Sequence, residues 1–407
     1  MSINRRLFLK VVAATGTLGF SQLTLASQKS ASLNSSDFQL VSSSPMLDGF
    51  RMPAEFEPQE AIWLVWPETT EWRLDGQPAE QAYIELATAI SHDIPVRLAV
   101  SSLQAARVKA LLPSAVEIIE MNRHRGTGWV RDDGPTFLIN NKGERRGVDW
   151  VFNDWGDIET ERFSNDFIYE QSETADQILK HEKTPYYKAP LVLEGGSIHS
   201  DGFGTIITTE ECLLNPNRNP ELYKDEIEGY LKEYLGAKKV IWIPRGVYKD
   251  DTSGHVDNMC CFAAPGEVFL TWTDDKEDEQ YQRSREALTL LESSTDARGL
   301  PIKVHKLYQP GPLYMTAEER AGFSDRSDEV PTKAESRLPA SYINYIRTNK
   351  RIIFPLLDPK TDKQAFASFA QVFPKHEIVG IKGGREILLH GGNLHCISQN
   401  IPARNLG

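Results

Sequence analysis

The chain has 407 residues, enough for a large apolar core and, by length alone, about two ordinary domains. With 40% hydrophobic and 25% charged residues it has the composition of a soluble globular protein, and a net charge of −12 argues against a nucleic-acid partner, which would call for a basic patch. Its four cysteines, Cys212, Cys260, Cys261 and Cys396, include no CxxC pair, so neither a disulfide framework nor a structural zinc site is indicated.

The chain opens on Asn4-Arg5-Arg6-Leu7-Phe8-Leu9-Lys10, followed by an apolar run over 11–20 and the small-residue stretch Thr24-Leu25-Ala26. That run is too short to span a bilayer, and residues 1–26 read as a twin-arginine export signal. Export to the periplasm or beyond is the expectation, with no membrane association once the signal is removed. Residues 27–48 are rich in Ser and Gln and are expected to form a flexible mature N-terminus. Over 49–407 a single α/β domain is expected.

Within that domain, short apolar runs alternate with amphipathic segments. Strands are expected at 62–66, ended by Pro67, and at 96–100, 116–121, 239–243, 267–272 and 351–356. Helices are expected at 79–92, 103–112, 221–235, closed by Gly236, and 280–293. The charged stretch 317–337 reads as a surface loop or lid. If 260–261 is strand, Cys260 and Cys261 point to opposite faces. One internal echo aligns Leu193-Glu194-Gly195-Gly196-Ser197-Ile198-His199-Ser200 with Leu389-His390-Gly391-Gly392-Asn393-Leu394-His395-Cys396, placing Ser200 where Cys396 stands. Such repeats suggest similar units arranged around an axis.

Five segments put ionisable residues beside glycine or at strand ends: 129–135, 193–196, 214–220, 254–258 and 391–396. Together they supply the parts for hydrolysing a guanidinium group. Attack on its resonance-stabilised carbon suits a thiolate, here Cys396, and a bound cation favours that ionised form. Carboxylates are needed to grip the cation, and Asp132, Asp257 and Glu194 are candidates. Histidine can protonate departing ammonia and activate water near neutral pH, a role for His255. In a strand, His255 and Asp257 would share one face. Trp129 is a candidate substrate platform.

The stretches Met52-Pro53-Ala54-Glu55-Phe56-Glu57-Pro58, 129–135, Phe152-Asn153-Asp154-Trp155-Gly156, Glu194-Gly195-Gly196, 214–220, 241–246, His255-x-Asp257, 271–275 and the Cys396 segment resemble, in order, those of the agmatine deiminase family within the guanidine-modifying superfamily. The resemblance runs from about 52 to 402. It implies a five-bladed α/β propeller with pseudo-fivefold symmetry and a site on the axis. It also implies Cys396 as nucleophile, His255 as general acid and base, Asp132 and Asp257 as guanidinium ligands, and Glu194 and Trp129 completing the substrate shell. No metal or organic cofactor is implied. The expected partner is a small cationic guanidino substrate, and self-association into a homo-oligomer is left open.

Departures from the family pattern lie at His390, in place of the first of three glycines, at Asp133, where threonine is common, and at Asn400, where glutamine is common. Export favours an alternative, a deiminase for arginine in peptides. That substrate would need a cation such as Arg162 or Arg218 near the site. A binding protein without turnover would be expected to lose Cys396 or His255. Metal-dependent hydrolysis would need His255, Asp257, His390 and His395 to converge on one ion, and no HExxH motif is present.

Overall fold

Among the described residues the strands are divided among five short sheets rather than gathered into one. A computed structural model describes residues 38–67, 72–122, 128–159, 173–323 and 336–404, all within one unit. The expected export signal, Arg162 and the middle of the 317–337 stretch lie outside the described residues.

Each sheet repeats the same order. An antiparallel pair comes first, then a helix, then a strand parallel to the second member of the pair. Strands Thr136–Asn140 and Arg145–Val151 pair antiparallel, helix Thr174–His181 follows, and Tyr186–Val192 joins in parallel. The second unit uses Ile198–Ser200, Thr205–Thr209, helix Lys224–Leu235 and Lys239–Ile243. The third uses Cys260–Ala264, Glu267–Trp272, helix Glu279–Ser293 and Lys303–Tyr308. The fourth uses Ile346–Arg347, Arg351–Pro355, helix Asp362–Val372 and Glu377–Ile381. In the fifth, strand Ser398–Pro402 pairs antiparallel with Gln59–Val65, and Val96–Val100 follows helix Gln77–Ser91. The architecture is mixed α/β, and this last sheet pairs an early with a late segment of the described residues.

The helices pack because their apolar residues recur every three to four positions. Helix Gln77–Ser91 buries Ala79, Ala82, Tyr83, Leu86 and Ile90 in a cluster with Ile62, Leu64, Leu98 and Ile353. Each fully buried Leu or Ile there contributes about 1.5–3 kcal/mol. Helix Lys224–Leu235 stops at Gly236, whose φ of +63° is left-handed and whose missing Cβ would collide with the Phe50 carbonyl. Cys260 and Cys261 do face opposite cores, and all four cysteines are free thiols. No helix among the described residues is long and apolar enough to cross a membrane.

Three expectations need correction. The flexible N-terminus does not reach Asp48: from Phe38 onward the chain is fixed, with Val41 N–H donating to Tyr186 O at 2.8 Å and Asp48 accepting from the Tyr187 hydroxyl at 2.8 Å. Phe38 also stacks on Tyr186. The 317–337 stretch begins with a short helix, Ala317–Ala321, capped by the Thr316 hydroxyl. His255-Val256-Asp257 is not a strand, because helix Val256–Met259 starts there with His255 as its N-cap.

Candidate active site

The segment entering the first strand of each repeat unit carries one or more of the chemically active side chains. Asp132 precedes Thr136–Asn140, Glu194 precedes Ile198–Ser200, and His255 and Asp257 precede Cys260–Ala264. Asn344 precedes Ile346–Arg347, and Cys396 precedes Ser398–Pro402. One topological position, repeated five times, therefore assembles one site. The sequence echo does not follow this equivalence. Ser200 ends its strand, whereas Cys396 precedes its own. Ser200 Oγ donates to Met52 O at 2.9 Å and plays no part in the cluster below.

All five predicted polar residues come together, and each is almost completely buried. The Cys396 thiol donates to Asp257 Oδ2 at 3.5 Å and accepts from Asn344 Nδ2 at 3.0 Å. Asn344 also fixes the backbone beneath it, since its Oδ1 accepts from the His395 and Cys396 amides at 2.9 and 3.3 Å. Asp132 accepts from Gly196 N–H at 3.0 Å and from Trp155 Nε1 at 2.9 Å. The His255 ring lies between two carboxylates, with Nδ1 3.7 Å from Asp132 and Nε2 3.5 Å from Glu194. Glu194 is itself held by Arg218 Nε at 2.7 Å, a pair with no exposed side-chain surface on either partner. Both His255 nitrogens and Asp257 Oδ1 are buried without a hydrogen-bond partner. Unpaired buried polar atoms are rare in a folded protein, and three in one place mark a polar ligand site.

Electrostatics sort these groups by charge. Burial works against a charged His255, but Asp132, Cys212 and Glu194 around it hold its pKa well above the ordinary value. Burial, then the charges of Asp257 and Asp132, push the Cys396 thiol well above its ordinary pKa. Asp132 is raised to about 6, chiefly by burial, with Asp257 and Glu194 adding to the rise and His255 opposing it. Burial raises Asp257 too, but hydrogen bonding and charge from His395 outweigh it and its pKa is lowered. Glu194 is lowered in the same way: burial opposes ionisation, and Arg218 and His255 reverse that. The free site thus has surplus negative charge and a protonated thiol, and a cation placed among the carboxylates would favour the thiolate.

These values set a pH dependence. Below about pH 6 Asp132 is neutral and cannot balance a bound cation, so kcat/KM falls as pH drops through that value. Trp155→Phe removes the N–H that steadies the carboxylate. The acidic limb is expected to move upward by about one pH unit without changing slope, as about 1.4 kcal/mol of hydrogen bonding is lost from the charged form. A limb that stays in place would show that Asp132 is not the group titrating.

Trp129, predicted as a platform, makes no polar contact with this cluster. It stacks on Trp72 with ring centroids 6.1 Å apart and covers Gly392, where a Cβ would run into its ring. Trp72 in turn lies 4.2 Å, centroid to centroid, from the His390 ring, which also meets Phe323. This aromatic wall shares a cluster with Cys396 and Leu394. Arg218, a candidate cation for a substrate carboxylate, is committed to Glu194. The four residues required for metal-dependent hydrolysis do not converge: His390 packs in the aromatic wall, and neither group of suitably spaced ligand atoms among the described residues contains His390 or Asp257. Sequence reading missed Asn344, the Trp155 bond to Asp132 and the pairing of Arg218 with Glu194.

The sequence profile of the Porphyromonas-type peptidyl-arginine deiminases matches residues 51–402. A relative in Shewanella baltica (strain OS195), provisionally named an agmatine deiminase, is 48% identical over 369 residues, covering 90% of this chain and 98% of its own. The agmatine deiminase of Enterococcus faecalis superposes with a TM-score of 0.85 at 39% identity, covering 90% of this chain and 100% of that one. A C. jejuni agmatine deiminase superposes with a TM-score of 0.72 at 27% identity, covering 87% and 96%. Fold and site together define a hydrolase acting on the C–N bonds of amidines. The chain belongs to the Porphyromonas-type peptidyl-arginine deiminase family.

Proposed function

We propose that the protein hydrolyses agmatine to N-carbamoylputrescine and ammonia through an amidino-cysteine intermediate. The observation that carries this reading is the buried cluster of Asp132, Asp257 and Glu194 around His255 and Cys396. It combines surplus negative charge with a thiol and an imidazole, as a planar cation under nucleophilic attack requires. The guanidinium takes the place among the carboxylates and lowers the pKa of the Cys396 thiol, whose proton is lost to solvent as the substrate binds. The thiolate adds to the central carbon, and His255, held as imidazolium, gives its proton to the departing nitrogen, which leaves as NH3. The resulting S-alkylthiouronium is then attacked by a water whose proton returns to His255. Collapse to the ureido carbonyl expels the thiolate, which takes up the proton released from the hydroxyl, so that agmatine and water give N-carbamoylputrescine and ammonia. No metal or organic cofactor takes part in these steps.

The five repeat units support a finer reading of the fold as a five-bladed propeller with its site on the axis. The aromatic wall of Trp129, Trp72 and His390 is read as flanking the substrate's methylene chain. Asp251, a solvent-exposed residue whose pKa is raised to about 6 by partial desolvation and by Asp250, faces Gly391 in the loop that leads to Cys396. Mostly ionised at pH 7, it is suited to the second cation of agmatine and unsuited to the carboxylate of arginine. Residues 1–26 are read as a twin-arginine signal, so that the reaction runs in the periplasm or outside the cell; tracing the full chain and a 27–407 chain by cell fractionation tests this.

A substrate panel tests the main reading. Ammonia release from agmatine is expected to exceed that from free arginine and from a peptide ending in arginine by about 100-fold or more in kcat/KM, a difference of about 2.7 kcal/mol. Equal or faster turnover of the peptide would replace agmatine as the substrate.

A further inference from the structure

Asp257 Oδ2 is shared between two neighbours, the Cys396 thiol and His395 Nδ1, the latter at 2.8 Å. The other nitrogen of His395, Nε2, lies 2.7 Å from Glu55 Oε1. A neutral imidazole has one N–H and one lone pair, so either tautomer would set a lone pair against a carboxylate oxygen at hydrogen-bond distance. With Glu55 and Asp257 both ionised, as their lowered pKa values hold them, only the imidazolium satisfies both contacts. Burial and the Arg131 cation work against that charge, yet Glu55 and Asp257 outweigh them and the pKa of His395 is raised.

The surroundings extend the chain of charges. Arg131 Nη1 is 3.3 Å from Glu55 Oε1, and Arg131 Nε donates to His395 O at 3.3 Å. His199 stacks on His395 and presents Nε2 to Glu55 Oε2 at 3.9 Å. Because His199 Nδ1 accepts the Phe262 amide, the ring proton sits on Nε2. Glu55, His199 and His395 are close enough to share a metal ion, but that proton occupies the His199 atom facing Glu55, and both His395 nitrogens are already engaged. Cys261 and Tyr345 complete the walls of a small cavity bounded by Glu55, Asp257 and His395. Glu55 also lines a second, larger cavity with Arg131, Gln59 and Asn400.

We propose that Glu55 and His395 form a charge relay behind the nucleophile, in which the His395 imidazolium keeps Asp257 ionised while the Cys396 thiolate forms beside it. Without this cation, two anions would stand 3.5 Å apart in a buried site. Glu55 holds the His395 proton and links it to the larger cavity. Both are positioning residues that act through Asp257. The proposal rests on the deimination reading above and adds residues to it.

Rate–pH profiles with agmatine test the relay in the full-length enzyme. His395→Asn keeps a donor toward Asp257 but removes the charge. The acidic limb of kcat/KM is expected to move up and to steepen, because a second carboxylate must now lose a proton; loss of an adjacent cation raises a carboxylate pKa by about 1–3 units. Glu55→Gln keeps the acceptor and removes its charge. Activity near pH 6 is expected to stay within about threefold of the parent, while an added decline appears toward alkaline pH as His395 loses its proton. Profiles that are scaled copies of the parent's would overturn the relay and leave deimination standing, whereas parent enzyme inactive on agmatine would overturn the deimination reading first. Nitrogen-15 NMR of selectively labelled histidines gives a check that does not depend on active variants, with His395→Asn used only to assign the signal. The His395 ring is expected to remain doubly protonated through pH 8. A ring that titrates near its ordinary value of about 6.5 would overturn the relay.

Discussion

Cys396→Ser lowers ammonia release from agmatine by about 10⁴-fold or more, while the variant still folds and still binds the substrate. Serine can keep both local hydrogen bonds, accepting from Asn344 and donating to Asp257, so the pocket is expected to hold its shape. What changes is acidity. Even the thiol is pushed well above its ordinary pKa, by burial first and then by Asp257 and Asp132. The incoming guanidinium can offset that rise for a thiol, but an alcohol is far too weak an acid to ionise at the same cost. Three measurements separate the loss of chemistry from the loss of fold: coupled ammonia assay, thermal melting, and calorimetric titration with agmatine. Acid-quenched parent enzyme should also carry, on Cys396, a mass equal to agmatine less ammonia, and the variant should not. Turnover by the serine variant within about tenfold of the parent would remove Cys396 from the mechanism.

The parts of this site that were legible in the sequence share one property: a glycine nearby or a strand boundary exposed their polar side chains to view. Glu194 stands before Gly195-Gly196, His255 follows Gly254, and Cys396 follows Gly391-Gly392. Asn344 has no such flag. It sits in Tyr342-Ile343-Asn344-Tyr345, reads as an ordinary polar residue in an apolar run, and is recognised only through contact with Cys396, 52 residues away. The pairing of Glu55 with His395 was hidden for the same reason, since partners 340 residues apart have no local pattern. The error at 255–257 has a different origin. Two polar residues flanking a valine satisfy a period of two, but a left-handed bend at Ser253 and Gly254, with φ of +65° and +87°, turns the chain into a helical start. His255 and Asp257 still reach one cluster, from a helical turn instead of a strand. The Gly-Gly echo was misleading in detail: it matched residue types, whereas the fold repeats position relative to the first strand of each unit.

Gly196→Ala is expected to cost about 10²-fold or more in kcat/KM with little change in melting temperature. Gly196 lies outside the left-handed region, so alanine meets no backbone penalty there. Its Cβ, however, would fall 2.5 Å from His255 Nδ1, 2.8 Å from Asp132 Oδ1 and 3.1 Å from Asp257 Oδ2. A single methyl group would thus press on His255, Asp132 and Asp257 at once. Relief requires each to move by a few tenths of an ångström or more, yet Asp132 is held by Gly196 and Trp155, Asp257 by His395, and the His255 ring is confined between Asp132 and Glu194. The neighbouring glycine gives a contrasting control. A Cβ at Gly195 would collide with the Arg131 carbonyl, which is backbone and cannot swing aside. Gly195→Ala should therefore lower the melting temperature, whereas Gly196→Ala should spare stability and lose rate. Steady-state kinetics and melting curves on the two variants decide the matter. Near-parent kcat/KM in Gly196→Ala would mean that the carboxylates and His255 can separate freely, and that close convergence of Asp132, Asp257 and His255 around this glycine is not what binds the guanidinium.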